Sequence, residues 1–278
     1  MASLQVLRKR YKSIQATYDM AFAMKTASSV KFAKVSKVLN NVSAYSKACD
    51  NTLALFGNNT WLARHTKTVK TRNCFVLLTN NRGFCGGFNG ELLRFFEKHM
   101  AEESEPPLLF VFGQKGHVFC NARGFAYVSM PFQEIPSYSD AEALTLKLLE
   151  LYQTGEVNQV IFFYQYYKNM MTQVPTAETI LPRSENTAAV QADEILFLPD
   201  MESAMKTPSM LCLVNSVYGI ILGHCAGIQA ATSIAMRSAC DNAEESLGKL
   251  EIMINRIRQA EVTNSVIETS SFMVGQMN

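Results

Sequence analysis

Apolar residues recur at alternating spacings of three and four along the first part of the chain. Residues 1–56 contain neither glycine nor proline, so no residue in this stretch breaks a helix. In heptads counted from Leu4, thirteen of the sixteen a and d positions are apolar or aromatic. A period of about 3.5 residues keeps one seam facing a partner helix over such a distance, which predicts a coiled-coil helix over residues 1–56.

The last part of the chain carries a similar pattern. No proline follows Pro208, and apolar or small residues continue at alternating spacings of three and four. The positions of this seam are Ala226, Gln229, Ser233, Met236, Cys240, Ala243, Leu247, Leu250, Ile254 and Ile257. We therefore predict a second coiled-coil helix over residues 208–278. The two helices would pair antiparallel if the middle of the chain folds back at one end.

Between these helices, strand-like apolar runs alternate with helical patterns. The strand-like runs are residues 74–79, 108–113, 125–130, 159–167, 174–182 and 194–199. The helix-like runs are residues 91–100 and 141–153, with a shorter one near 115–122. This alternation predicts an inserted α/β domain over residues 57–207 with a parallel sheet. The last strands have no helix between them and are expected to form an antiparallel hairpin.

Residues 207–236, named the uncharged segment, contain no Lys, Arg, Asp or Glu. A run of this length is compatible with a membrane span. Gly219, Gly223 and Gly227 also repeat at a spacing found in packed membrane helices. However, polar residues interrupt the run, and a span would separate the C-terminal seam from its partner. We favour a helix whose small residues allow close backbone approach.

Charge is unevenly distributed, although the net charge is only +2. Residues 1–56 carry nine Lys or Arg and two Asp or Glu, which indicates either an acidic partner or a solvated helix face. The seven cysteines include no C-x-x-C pair, and the four histidines form no ligand-like cluster. We therefore expect neither a disulfide framework nor a structural zinc. No secretory signal is expected, whereas an amphipathic transit peptide is compatible with the basic start.

The stretch NRGFCGGFNG, residues 81–90, lies between a predicted strand and a predicted helix, where many proteins bind phosphate. Its glycines lack the spacing of a P-loop, and Phe88 and Asn89 stand where a P-loop has Lys and Ser or Thr. There is also no G-x-G-x-x-G motif. Nucleotide binding is therefore the less favoured interpretation.

We favour a structural turn for the same residues. Gly83, Gly86 and Gly87 would permit positive φ, and Asn89 would cap the following helix. Cys85 could act as a nucleophile, but no base lies near it in the sequence. We expect it to be a buried small residue.

Residues 255–263 form the second candidate site. Arg256 and Arg258 cannot both face one seam, so at least one of them points outward. Arginine and glutamine beside a threonine on an exposed helix face would offer donors to carboxylates or backbone groups of a partner. The alternative is an ordinary solvated face.

Four stretches resemble the gamma subunit of rotary ATP synthase, the central shaft. They are residues 8–31 (RKRYKSIQAT to AMKTASSVK), 81–89 (NRGFCGGFN), 167–182 (YKNMMTQVPTAETILP) and 235–263 (AMRSACDNAEESLGKLEIMINRIRQAEVT). The second is similar to the family's D-R-G-L-C-G-x-x-N, and the fourth to its A-M-D-N-A motif followed by R-Q-A-x-I-T. The stretches stand in the family's order and span nearly the whole chain.

The resemblance implies a long antiparallel coiled coil of the terminal helices with an inserted Rossmann-like α/β domain. It also implies a central rotor shaft that couples ion flow to ATP synthesis or hydrolysis on other subunits, with no catalytic residue, cofactor or metal of its own. Its partners would be the alpha and beta subunits, the epsilon subunit and the membrane ring of c subunits. Neither a nucleic-acid partner nor a transmembrane span is implied. The expected location is peripheral, at the cytoplasmic face of a bacterial inner membrane or, alternatively, at an organellar inner membrane.

The matched motifs imply two sets of partner contacts. One set would meet loops of the beta subunit: Arg258, Gln259 and Thr263. The other would face the acidic lever region of beta: Lys25, Lys31 and Lys34. The turn at Gly83, Cys85, Gly86 and Gly87 would belong to the domain that contacts epsilon and the c ring. The chain departs from the family at residues 19–22, 227–232 and at Ser265, which puts nearby polar contacts in doubt.

Two other functions are compatible with parts of the pattern. A free-standing coiled-coil adaptor would bind a protein through its helices and a ligand through its α/β domain. A membrane-anchored regulator would use the uncharged segment as its anchor.

Overall fold

The computed structural model describes residues 4–54, 72–182 and 200–276 of the 278-residue chain. The helices are α1 (Leu4–Ala54), α2 (Phe88–Glu102), α3 (Gln114–Arg123), α4 (Tyr138–Gln153) and α5 (Met201–Gln276). The strands are β1 (Cys74–Leu78), β2 (Leu108–Phe112), β3 (Val128–Met130), β4 (Val160–Tyr167) and β5 (Gln173–Leu181). The strand expected at 194–199 and the last residues of the first predicted helix, 55–56, lie outside the described residues. The chain divides into two compact units, one of residues 1–27 and 233–278 and the other of residues 28–232.

The larger unit contains a five-stranded sheet in the order β3-β2-β1-β4-β5. β1 pairs in parallel with β2 and β4, and β2 pairs in parallel with β3. β4 and β5 form the expected antiparallel hairpin. All five residues of β1 are buried, because a parallel strand covered on both faces needs a continuous apolar run and the run CFVLL supplies it.

Both faces of the sheet are covered. On one face, Phe75 and Phe163 pack against Phe96 of α2, with ring centroids 6.2 and 5.0 Å from that ring. On the other face, one apolar cluster joins the sheet to α4, α1 and α5. Its members include Val76, Phe162, Leu148, Val42 and Val217. The middle of the chain is therefore an α/β layer with the terminal helices packed on one side.

In the larger unit, α1 and α5 run antiparallel. The side-chain amide of Asn215 donates a hydrogen bond to the hydroxyl of Ser46 at 2.7 Å, and a Cβ at Gly219 would lie 3.4 Å from Val42. Moving forward along α5 thus moves backward along α1. The same amide also donates to the backbone carbonyl of Val42 at 3.5 Å, and a buried asparagine bonded across a helix pair favours one register over its alternatives.

The smaller unit contains the same antiparallel arrangement. Ala21 of α1 is buried with Met236 and Cys240 of α5. Along α1, six of the seven described d positions are buried, whereas Ile14 and the described a positions are half-buried. The buried d residues are Leu7, Ala21, Ser28, Val35, Val42 and Cys49. The heptad pattern and the predicted coiled coil are thereby confirmed.

The C-terminal helix begins at Met201, so Pro208 lies inside it rather than before it. Asp200 precedes the helix and accepts hydrogen bonds from the backbone N–H and the hydroxyl of Ser203. This cap explains the start, because an aspartate at that position satisfies a donor of the first turn. The division of the chain at 57–207 into a separate domain stays a prediction.

The uncharged segment is part of the core. Every residue from 222 to 230 is buried, and a Cβ at Gly227 would lie 3.0 Å from the ring of Phe88. One helix among the described residues, over Ser203–Ser270, is long and apolar enough to cross a membrane, but 72% of its most apolar window is buried inside the protein. Its small residues therefore serve close packing.

Two glycines of this segment provide a matched test of that packing. A Cβ at Gly223 would meet nothing within 4 Å, whereas one at Gly227 would crowd the buried Phe88 ring at 3.0 Å. We expect Gly223→Ala to raise the free energy of unfolding by up to about 1 kcal/mol, the gain in helix propensity. Gly227→Ala should lower it by about 1 kcal/mol, because overpacking outweighs that gain. Urea unfolding of both variants checks this, and equal effects would contradict the close approach.

Candidate functional site

The glycine-rich turn connects β1 to α2. Positive φ occurs at Gly86 (+59°) and, unusually for a residue with a side chain, at Phe84 (+66°). Gly87 is the N-cap of α2 with φ of −77°. A Cβ at Gly83 would meet nothing within 4 Å. Of the three glycines proposed to need positive φ, only Gly86 adopts it.

Asn89 is not the helix cap that the sequence predicted. It lies inside α2, is buried, and its side-chain oxygen accepts a hydrogen bond from the backbone N–H of Asn80 at 3.2 Å. Its side-chain nitrogen donates to Cys85 Sγ at 3.2 Å. The amide fastens the turn to the end of β1, and Gly87 takes the capping position instead.

Cys85 is buried, with only 4% of its surface exposed. Burial raises the pKa of its thiol, although Asn89 and Asn80 act in the opposite direction. The residue therefore stays protonated at neutral pH and is poorly suited to nucleophilic attack. All seven cysteines lie within the described residues, and each is buried and outside any disulfide.

The backbone donors at the start of α3, beside this turn, already have partners within the fold. The first N–H groups of α3 donate to the side chain of Asn81, to the carbonyl of Asn80 and to the hydroxyl of Thr79, at 2.8–3.1 Å. The carboxylate of Glu91 lies over the first turn of α2, 2.9 Å from where a Cβ at Gly87 would stand. Internal acceptors and a negative charge at these helix starts disfavour a phosphate.

No cluster of three or more His, Cys, Asp or Glu that could hold a metal ion occurs in residues 4–54, 72–182 or 200–276.

The second candidate site lies near the end of α5, in the smaller unit. Leu250 is the last fully buried residue of the seam, and Ile254 and Ile257 are half-buried. Every residue from 258 to 270 is exposed, including Arg258, Gln259 and Thr263. The hydroxyl of Thr263 donates to the carbonyl of Gln259 at 2.9 Å, which keeps the two residues on one face of the helix.

Large apolar side chains are exposed on the same stretch. The exposed fractions are 59% for Val262, 62% for Val266 and 56% for Ile267. A helix with this much apolar surface and no covering element among the described residues indicates a surface that another molecule covers.

The three lysines predicted to face a partner have different environments. Lys31 forms an ion pair with Glu134. Lys25 is half-buried at a seam position, with its Nζ 4.6 Å from the centroid of Phe22. Lys34 is exposed. The geometry therefore leaves Lys34 the most accessible to a partner.

His224 lies in the uncharged segment and is not among the predicted site residues. The side chain is fully buried in the larger unit, and its Nδ1 accepts a hydrogen bond from the backbone N–H of Gln165 at 3.1 Å. Burial lowers the pKa of this imidazole to about 3. The only signal in the sequence is a polar residue inside an apolar run, which does not reveal a contact with β4.

A family model described as ATP synthase matches residues 3–271 of the chain. Similar curated proteins include the ATP synthase gamma chain of Pelotomaculum thermopropionicum, which is 28% identical over 96% of this chain and 97% of its own length. The ATP synthase gamma chain of Rhizobium leguminosarum bv. trifolii is also 28% identical, over 98% of both chains.

Solved structures share the fold at lower identity. A chain of the Euglena gracilis mitochondrial ATP synthase (OSCP/F1/c-ring) is similar over 98% of this chain and 94% of its own length, with a TM-score of 0.66 and 15% identity. A chain of the central stalk/c-ring of the Tetrahymena thermophila mitochondrial ATP synthase covers 79% of this chain and 99% of its own length, with a TM-score of 0.60 and 20% identity. These likenesses confirm the predicted fold class.

The buried histidine makes a testable contribution to pH dependence. His224 stays neutral in the folded protein down to about pH 3, whereas in the unfolded chain it gains a proton below about pH 6.5. The unfolded state therefore binds more protons between these values, and stability falls as pH falls, by up to about 1.4 kcal/mol per pH unit. We expect urea midpoints of His224→Phe to depend less on pH than those of the wild type between about pH 6.5 and 4.5. Parallel pH profiles would contradict this assignment.

Proposed function

The chain belongs to the ATP synthase family, to its gamma chains, and we propose that it is the central rotor shaft of an ATP synthase. In this role it couples ion flow through the membrane sector to ATP synthesis or hydrolysis on the alpha and beta subunits. It is a non-catalytic subunit of the complex. The observation that best supports the role in this chain is the exposed end of α5, residues 258–270.

That end has the features expected of a shaft tip within a ring of subunits. Its apolar side chains, Val262, Val266 and Ile267, would contact a surrounding sleeve without forming permanent polar bonds. A sliding contact of this kind needs few directional interactions, because hydrogen bonds would hold one angular position. Arg258 and Gln259 would supply the few polar contacts that depend on angle.

The mechanism follows from asymmetry rather than from catalytic groups. A single shaft presents a different face to each of several otherwise equivalent catalytic sites. Contacts that differ between sites give them different free energies, so each rotation step moves every site to a new affinity. The shaft must transmit force, and the packing of α1 against α5 within each unit would supply stiffness.

We propose that Arg258, Gln259 and Thr263 contact loops of the beta subunit, and that Lys34 contributes most among the three lysines to an acidic region of beta. Lys31 would contribute less, because Glu134 already neutralises it. Lys25 is half-buried beside Phe22, so only part of its side chain would be able to contact the beta subunit. Each exposed ion pair contributes little by itself and weakens with salt.

The remaining partners and the location are also part of the proposal. The α/β domain, including the turn at Gly83, Cys85, Gly86 and Gly87, would contact the epsilon subunit and the ring of c subunits. The chain would lie at the periphery of a bacterial inner membrane on the cytoplasmic face, or of an organellar inner membrane. No nucleic acid, cofactor, metal or transmembrane span of its own is needed for this role.

A free-standing coiled-coil adaptor is the alternative function. It would use the same exposed helix to bind an unrelated protein, and it would have no reason to assemble with alpha and beta subunits.

The shaft proposal predicts the effect of removing the polar contacts. We expect Arg258→Ala with Gln259→Ala to lower steady-state ATP hydrolysis of a complex purified with cognate alpha and beta subunits by roughly tenfold, because hydrogen bonds to charged groups contribute about 1.5–3 kcal/mol. Lys249→Ala is the matched control, since this exposed α5 residue pairs only with Glu245 of its own helix among the described contacts. Assembly without any loss of activity in the double variant would contradict these contacts, and failure of the wild-type chain to assemble would favour the adaptor.

The lysines allow a second test. We expect Lys34→Met to lower ATP hydrolysis by up to roughly fivefold at low salt, and less at high salt, since an exposed pair contributes about 0.2–1 kcal/mol. Lys31→Met should lower activity less, because this lysine already pairs with Glu134. A larger loss for Lys31→Met than for Lys34→Met would show that the assignment is wrong.

A further inference from the structure

Two of the seven cysteines lie opposite each other where α1 and α5 pack together in the larger unit. The hydrogen bond between Asn215 and Ser46, 2.7 Å long, gives the register of this antiparallel pair. Cys212 lies three residues before Asn215, and Cys49 lies three residues after Ser46. Because the helices run in opposite directions, this register places the two cysteines in one layer of the helix pair.

The layer one heptad away shows how closely the two helices approach. A Cβ at Gly219 would lie 3.4 Å from Cγ1 of Val42. Since Cγ1 is one bond of about 1.5 Å from its own Cβ, the Cβ positions of this layer are no more than about 5 Å apart. Cys212 precedes Gly219 by seven residues, and Cys49 follows Val42 by seven, so the cysteines occupy an equivalent layer. A disulfide needs Cβ atoms about 3.5–4.5 Å apart, which this spacing nearly meets.

Both thiols border a small cavity between the helices. Its volume is about 220 Å³, and Cys49 and Cys212 are buried residues of its wall. The side chain of Tyr45 is hydrogen-bonded to Cys49, and burial together with the thiols of Cys49 and Cys212 raises the pKa of the Tyr45 hydroxyl. The two sulfur atoms therefore lie near one hydroxyl, and the cavity gives them room to turn towards each other.

The cavity also gives a small oxidant access to the thiols. At its rim, Tyr45 and Leu211 expose 44% and 40% of their surface, and Thr207 is exposed as well. The volume is several times the roughly 30 Å³ that one water molecule occupies in the liquid. Hydrogen peroxide is little larger than water, so it fits into this space.

Two further cysteines of α5 face other groups. Cys240 is buried against Ala21 of α1 in the smaller unit. Cys225 Sγ donates to the carbonyl of Gln133 at 3.8 Å. The placement of two cysteines in one layer is therefore a specific property of Cys49 and Cys212, not a consequence of a cysteine-rich helix.

We propose that Cys49 and Cys212 form a modification site, at which a peroxide produces a reversible disulfide between α1 and α5. Both S–H bonds break and one S–S bond forms, so the two thiols lose two electrons and two protons. Hydrogen peroxide accepts them, and cleavage of its O–O bond gives two molecules of water. A dithiol reverses the modification and is itself oxidised to a disulfide. The site is independent of the partner contacts proposed for the end of α5.

The cross-link changes what the two helices can do. The loop that it closes contains all five strands of the sheet. A disulfide stabilises a fold mainly by constraining the unfolded chain, and more strongly for a long loop. The oxidised chain should therefore resist separation of α1 and α5 better than the reduced chain does.

Oxidation of the reduced full-length chain tests the site. We expect hydrogen peroxide to produce one intramolecular disulfide, with loss of the mass of two hydrogen atoms. Mass spectrometry of non-reduced peptides should assign it to Cys49 and Cys212, and dithiothreitol should reverse it. Met171 is 78% exposed and reports the dose, because peroxide converts an exposed methionine to its sulfoxide.

Variants and stability provide a second readout. Cys49→Ser and Cys212→Ser each remove one sulfur, so neither should form the disulfide. Cys240→Ser is the matched control, since it removes another buried cysteine of α5 and should cross-link as the wild type does. Dithiothreitol should lower the urea midpoint of the oxidised wild type and of oxidised Cys240→Ser, and leave the midpoints of the other two variants unchanged.

Three results would overturn the proposal. The first is the absence of a disulfide in wild-type chains whose Met171 is already oxidised. The second is a disulfide that joins other cysteines or two separate chains. The third is a cross-link that persists in Cys49→Ser or Cys212→Ser. Peptide mapping of the wild type decides the matter even if a variant fails to fold.

Discussion

Close packing of the uncharged segment of α5 is the contact on which the larger unit depends. Residues 222–230 are buried without exception, and they lie between the sheet layer and α1. A charged side chain at any of these positions would lose its hydration without gaining a partner. The lack of charge that resembles a membrane span therefore follows from burial inside the protein.

Polar groups within this segment determine its register. Asn215 contacts Ser46 of α1, and His224 contacts the backbone of β4. Apolar side chains tolerate small displacements along a helix, whereas a buried hydrogen bond is lost on displacement and leaves an unsatisfied group. These two residues thus select one alignment of α5 against α1 and the sheet.

The two candidate sites differ in what their polar groups do. At the glycine turn, Asn89, Asn80 and Thr79 are engaged by neighbours within the fold, so the turn holds β1, α2 and α3 together. At the end of α5, residues 258–270 are exposed, and that surface is the one that suits a partner protein. The family to which the chain belongs gives that surface its proposed role at the centre of a rotating complex.

The sequence by itself determined the two terminal helices, the alternation of strands and helices and the hairpin of β4 and β5, because local periodicity reports which face of an element is buried. It also determined the family, through motifs at 81–89 and 235–263. It did not determine the contact of His224 with β4 or the ion pair of Lys31 with Glu134, because each joins residues far apart in the chain. It also did not determine the role of Asn89, because the hydrogen bond of this residue to Asn80 depends on how the turn itself folds. Spacing along the chain carries no information about which distant atom a side chain meets. Only the tertiary structure, which brings β4 beside α5 and Glu134 beside α1, decided those contacts.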